Sequence, residues 1–272
     1  MLKAVLWVLL AVPAALTALD FYQGNLGARP VTEAIHQIGL WGIRYLFLAL
    51  AITPVRQLWR WNRLAVWRRN IGVASFCYLA VHFSLYVIDQ KFDLWKVASE
   101  IVLRYYLTIG FVALCGLCAL AVTSTDAMTR RLGGKRWRQL HRVVYLIGLL
   151  ATIHFFMQSK LNVYEPVIMG GLLIWLLGWR AFEAWTEIDM RRWEWASGFS
   201  IAVAVLTAFG EALYYDLLTP APFLRVLDAN LMIELDMLRP AWWVLAITLG
   251  VSVVAAVRQT TAKAARKRAK PA

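Results

Sequence analysis

The stretch Trp137-Arg-Gln-Leu-His141-Arg-Val-Val-Tyr145-Leu-Ile-Gly148-Leu-Leu-Ala-Thr-Ile-His154-Phe-Phe156 decides the fold. Most of it is apolar enough to cross a bilayer, yet it carries two of the chain's four histidines. An ionisable residue inside a membrane span is costly, which makes it a functional candidate by default. His141 and His154 are 13 positions apart. On a helix that is roughly 20 Å, so one imidazole lies near each face of the hydrocarbon. Two imidazoles at two depths point to two haem irons, one above the other.

The same apolar character runs through nearly the whole chain. Of 272 residues, 61% are hydrophobic. Long apolar runs recur, which predicts an all-α polytopic transmembrane helical bundle rather than a soluble domain. The formal net charge is +13. Its basic residues cluster in short segments between spans, the positive-inside pattern. No nucleic-acid recognition module is present, so nucleic acid is excluded as a partner and membrane lipid takes its place. Cys77, Cys115 and Cys118 all fall in apolar runs. They read as small buried hydrophobes, not as a metal or redox set.

Eight spans are expected, at about 3–19, 40–55, 71–89, 105–123, 137–156, 165–182, 197–215 and 241–257. The first also has the look of a signal peptide, and a retained helix is the preferred reading. Residues 20–38 read as a polar loop ending at His36, and Thr53-Pro54 as the close of the second span. Arg56, Arg60, Arg63, Arg68 and Arg69 form one basic segment. Arg130, Arg131, Lys135, Arg136 and Arg138 form another, and Lys263, Arg266, Lys267, Arg268 and Lys270 a third. Eight spans put all three on one side together with both termini, which makes the termini cytoplasmic. Between the last two spans, Leu224, Leu227, Leu231, Leu235 and Leu238 recur at helical spacing. An interfacial helix is expected there.

The histidines can then be placed by depth. Spans 3 and 5 run in the same direction, and His82 and His154 reach similar depth in the outer half. They are the expected axial pair for one iron, held between helices of a bundle. His141 lies at the inner edge, as the candidate ligand of a second haem. In an ideal helix, 13 residues turn it about 140° from His154, so a local bulge or a different partner direction is required. The position 14 before His82 is Arg68, not a histidine. The inner haem therefore is five-coordinate, uses a non-histidine ligand, or is absent. Arg68 and Arg69 are candidates for contacts to haem propionates. Gly148 shares nearly the same helix face as His141 and would let a porphyrin approach the backbone, or serve helix packing. His36 is a candidate for a quinone site or a haem contact.

These residues carry a resemblance. Gly27-Ala-Arg-Pro-Val31, Ile35-His36-Gln-Ile-Gly39, Leu50-Ala-Ile-Thr53-Pro54-Val-Arg56 and Arg68-Arg69-Asn-Ile-Gly72 begin it. Leu79-Ala-Val-His82, Leu120-Ala-Val-Thr123-Ser124-Thr and Leu132-Gly-Gly-Lys-Arg-Trp137 through His154 complete it. In this order and spacing, over residues 20–158, the chain resembles the MsrQ (YedZ) family. These are haem-binding membrane subunits of the bacterial periplasmic methionine-sulfoxide reductase system, within the ferric-reductase-like transmembrane superfamily. The resemblance implies a b-type cytochrome of the inner membrane with one or two haems b. It implies His82, His141 and His154 as ligands, and electrons drawn from quinol or a cytoplasmic flavin donor. The implied acceptor is a periplasmic molybdopterin-containing enzyme that reduces methionine sulfoxide in oxidised proteins. FMN is associated with the family, and no residue here identifies a site for it. The family core reads as six spans over residues 1–183. Residues 184–272, with two further spans and the basic tail, read as a C-terminal extension.

Other functions compete. A self-contained NADPH-driven ferric reductase would need a nucleotide domain, and no GxGxxG unit occurs. A partner-fed ferric or cupric reductase is the alternative. A transporter would be expected to carry intramembrane acids, and the spans are nearly free of them apart from Glu211.

Overall fold

The computed structural model describes residues 2–160, 162–233 and 237–268. Among them are eleven α-helices, a 3-10 turn at Asn62–Val66, and no strand. The helices are α1 (Leu2–Gln23), α2 (Pro30–Leu58), α3 (Trp67–Asp89), α4 (Leu94–Leu103), α5 (Tyr105–Val122) and α6 (Asp126–His141). They continue with α7 (Val144–Gln158), α8 (Tyr164–Trp185), α9 (Trp193–Leu218), α10 (Phe223–Leu231) and α11 (Pro240–Arg268). Eight helical stretches are long and apolar enough to cross a membrane, in the order expected. The protein is a multi-pass membrane protein.

Four boundaries depart from the sequence reading. α2 begins at Pro30, so the loop expected to reach residue 38 ends at Arg29, and His36 sits on the helix. Proline suits the first helical position, where its missing N–H would be unpaired anyway. α2 also continues through Pro54 to Leu58. The basic segment 126–136 is not a loop but the helix α6, capped by the Thr125 hydroxyl, which accepts from the Met128 N–H at 3.2 Å. It is kinked at Gly133, whose φ of 73° is the left-handed region glycine tolerates. The segment after α3, whose charges of both signs (Asp89, Lys91, Asp93, Lys96, Glu100, Arg104) read as a loop, contains α4, capped by Asp93, whose carboxylate accepts from Lys96 N–H at 2.9 Å. The expected amphipathic stretch between the last two spans contains α10, and Leu235 lies outside the described residues.

The opening stretch is also not one helix. Arg142, Val143 and Tyr145 donate to the carbonyls three residues back, at 3.2, 3.1 and 3.1 Å, so α6 passes to α7 through a tightened turn. Each residue of such 3-10 winding adds about 20° of rotation over α-winding. Three such residues add about 60°, less than half of the roughly 140° that separates the two rings on an ideal helix.

Contacts divide the chain into two compact units, Met1–Leu50 with Val66–Gln158, and Ala51–Ala65 with Ser159–Ala272. Packing thus places α8 with α9–α11, whereas the division expected at residue 183 follows the resemblance. In the first unit, α1 is stitched to its neighbours at Pro13. The Tyr78 hydroxyl accepts from the Ala14 N–H at 2.9 Å and donates to the Leu10 carbonyl at 2.7 Å. It replaces a rung of the α1 ladder, with the Tyr45 hydroxyl donating to the same carbonyl at 3.1 Å. In the second unit the buried polar groups are mainly hydroxyls. Ser200, Thr207, Thr248 and Ser252 each donate to the carbonyl four residues back on their own helix. A side-chain carbon at Gly171 would meet Thr207 Oγ1 at 2.5 Å, so α8 and its neighbours approach closely there. Cys77 and Cys115 are exposed on apolar helices rather than buried, and all three cysteines are free.

Candidate functional site

Within the first unit, α3 and α7 bring His82 and His154 together. Their ring centroids are 6.5 Å apart and their planes nearly perpendicular, at 86°. Both rings are half-buried. Each is tied to backbone through Nδ1. His82 Nδ1 lies 2.8 Å from the Ile35 carbonyl on α2, and His154 Nδ1 lies 2.7 Å from the Tyr106 carbonyl on α5. A carbonyl only accepts, so Nδ1 carries the proton and donates, and Nε2 is left as the lone-pair nitrogen. Neither Nε2 makes a hydrogen bond among the described residues.

The spacing fits one shared metal. An imidazole–metal bond is about 2 Å, with the ring centroid about 1.2 Å beyond the nitrogen, so two trans imidazoles place their centroids about 6.4 Å apart. Among the described residues no three His, Cys, Asp or Glu side chains converge to hold a metal by themselves. A pair of imidazoles with no third protein ligand fits an iron whose other positions are filled by a porphyrin.

Glycines make the arrangement possible. A side-chain carbon at Gly39 would stand 2.7 Å from His82 Nδ1, and one at Gly110 would stand 2.7 Å from His154 Nδ1. The sequence reading quoted Gly39 without a role and passed over Gly110. A glycine in an apolar helix carries no signal until its neighbouring helix is known.

The other candidates form a second cluster or stand apart. His141 ends α6 and is half-buried. Its Nε2 is 3.3 Å from the Thr123 hydroxyl, and its ring stacks on Trp137 with centroids 3.8 Å apart. Trp137 in turn donates from Nε1 to the Thr123 carbonyl at 2.9 Å. Arg68 and Arg69 are exposed and near enough for their charges to act on the His141 ring. Arg69 pairs with Asp126. No second imidazole joins His141 among the described residues. Gly148 is buried in α7, and its carbonyl accepts from the Thr152 hydroxyl at 2.9 Å. His36 is 64% exposed and turned toward Glu33, 4.0 Å away.

Comparison with known proteins places this arrangement. The family model for the ferric reductase like transmembrane component matches residues 38–152, which include His82 and His141 and end two residues before His154. A protein-methionine-sulfoxide reductase heme-binding subunit MsrQ from Rhodospirillum rubrum is 42% identical over 165 residues, 60% of this chain and 79% of its own length. The protein of that name from Xanthomonas campestris pv. campestris is 42% identical over 187 residues, 66% of this chain and 84% of its own length. The one from Herminiimonas arsenicoxydans is 37% identical over 190 residues, 69% and 87% of the two lengths. No solved structure matches. A likeness of this depth over most of the relatives' length, on a bundle of apolar spans that pairs two histidines, makes the chain a member of the MsrQ family of ferric-reductase-like transmembrane proteins.

Proposed function

We propose that this chain is a b-type cytochrome subunit that carries electrons across the bacterial inner membrane, both termini cytoplasmic, to a periplasmic methionine-sulfoxide reductase. The relatives' name supports haem as the cofactor and that repair system as the setting. The single observation that carries the reading is the His82–His154 pair, 6.5 Å apart with both Nδ1 atoms anchored to carbonyls. The two anchored rings would present Nε2 lone pairs to one haem iron. Bound there, the haem supplies a one-electron couple inside the lipid.

His141 is the candidate ligand at the inner level. Its Nε2 is shared with Thr123, so ligation there replaces that hydrogen bond. Arg68 and Arg69 would hold propionates at the same level, and Gly148 would let a porphyrin lie against α7. Quinol, or a cytoplasmic flavin, is the proposed donor, and His36 on the first turns of α2 is a candidate quinone contact. A molybdopterin-containing subunit is the proposed acceptor. The alternative, a partner-fed ferric or cupric reductase, shares the haem pair and differs only in the acceptor.

The test is the reduced-minus-oxidised spectrum of detergent-purified protein made with ample haem supply. A b-type alpha band with one or two haems per chain is expected. A colourless protein overturns the reading. Reduction of methionine sulfoxide by the reconstituted pair, set against reduction of chelated ferric iron by the chain alone, separates the two acceptors.

A further inference from the structure

The two imidazoles are seated by the same device, built twice. His82 Nδ1 meets the carbonyl of Ile35, four residues before Gly39, and His154 Nδ1 meets the carbonyl of Tyr106, four residues before Gly110. In an α-helix the carbonyl of residue i−4 is the one that accepts the N–H of residue i. Each ring therefore lies over the glycine whose own N–H faces the same carbonyl. The missing side chain opens that carbonyl to a second donor. Cε1 sits only slightly farther than Nδ1, at 3.0 Å from a carbon built on Gly39 and 2.8 Å from one built on Gly110. Such distances are shorter than real side-chain carbons keep.

We infer that Gly39 and Gly110 are positioning residues that set the plane and the electron-donating strength of the paired imidazoles, and through them the reduction potential of the site. This rests on the haem reading above. A proton shared from Nδ1 to a carbonyl fixes the tautomer and makes Nε2 a stronger base. A stronger base favours ferric over ferrous iron. The two seats lie on different helices, α2 and α5, so each ring's plane is set by its own seat, and the planes are nearly perpendicular. A methyl at either glycine forces its ring off the carbonyl while the helix keeps its own bonds.

The test is redox titration of G39A and G110A in the full-length haem-loaded chain, beside two packing controls. In G42A the new carbon meets Leu79 at 2.6 Å on the same helix as Gly39, and in G116A it meets Ile147 at 3.1 Å on the same helix as Gly110. Loss of an outer-shell partner of a metal-bound imidazole is typically worth 10–100-fold. At the lower end, ferric preference falls about tenfold, an upward shift of about 59 mV for a one-electron couple. The expected result is that rise in G39A and G110A with haem kept, and little change in G42A and G116A. Haem lost from G39A and G110A but kept in the controls also supports the seats. Unmoved potentials in G39A and G110A, or shifts and losses matched by the controls, overturn the inference and leave the haem reading standing. A wild-type chain without haem overturns both.

Discussion

The two compact units bury their polar groups in different ways. In the second unit, Ser200, Thr207, Thr248 and Ser252 return their hydroxyls to carbonyls of their own helices. Trp175 Nε1 donates to the Ser200 hydroxyl at 3.1 Å, and Asn230 Nδ2 to the Ala208 carbonyl at 3.0 Å. Such bonds serve packing, and the first unit has them too, as from the Thr152 hydroxyl to the Gly148 carbonyl. In the first unit, His82 and His154 reach to carbonyls on other helices with one nitrogen and leave the other without a hydrogen bond. A half-satisfied ring inside an apolar bundle is costly unless something else meets it. The contrast teaches that burial of polar atoms alone does not mark a site. The second unit also buries unpartnered acceptors, Glu211 Oε2 and Asn230 Oδ1, so what marks the site is two lone-pair nitrogens on rings whose centroids are 6.5 Å apart.

That contrast can be broken most decisively at the pair itself. Replacing His82 and His154 together by alanine is expected to abolish the haem held between them, read as the loss of its share of the alpha band per chain. Single changes at Ser200 or Thr248 in the other unit leave that band intact. Full haem content in the double variant would remove the distinction between the units.

A smaller effect is expected at the inner cluster. His141→Ala removes at most one haem of two and leaves the absorbance of the outer pair unchanged, as measured by haem-to-protein ratio and difference spectrum. If instead all haem disappears, His141 and the outer pair act as one site.

In the second unit the expected effects are on stability and not on cofactor. Gly171→Ala drives a methyl to 2.5 Å from Thr207 Oγ1 and 2.7 Å from Val244 Cγ2. Overpacking of this kind costs about 1–3 kcal/mol, visible as an earlier midpoint in detergent unfolding, with haem per folded chain unchanged. The smallest effect is expected for Trp175→Phe, which gives up one hydrogen bond to Ser200. The loss is about 1 kcal/mol in the same assay.

Much of this was legible in the sequence, and the rest was hidden for definite reasons. Span count and order followed from apolar runs, because the bilayer admits little else. The meeting of His82 and His154 followed from depth along two spans running the same way. α4 and α6 were missed as helices because both are too short or too charged to read as spans, although Asp93 and Thr125 stood ready as caps and Leu94, Val97 and Ile101 recur at helical spacing. The start of α2 was signalled by Pro30 and overruled by the polar residues around it. The turn at Arg142–Val143 answers to one of the two alternatives that the 13-residue spacing left open, a local bulge, and its form was not legible. The seats at Gly39 and Gly110 were out of reach, because they depend on which helices lie side by side. His141 illustrates the same limit. Its stacking on Trp137, four residues back on α6, follows helical spacing, but its contact with Thr123 at the end of α5 does not.

The most direct test of the paired-imidazole site is the low-temperature electron paramagnetic resonance spectrum of the oxidised, purified chain. A low-spin ferric signal of the highly anisotropic kind that perpendicular imidazole planes produce is expected, present in wild type and absent when either His82 or His154 is replaced. A spectrum with only high-spin ferric haem, or a low-spin signal that survives both replacements, would contradict it.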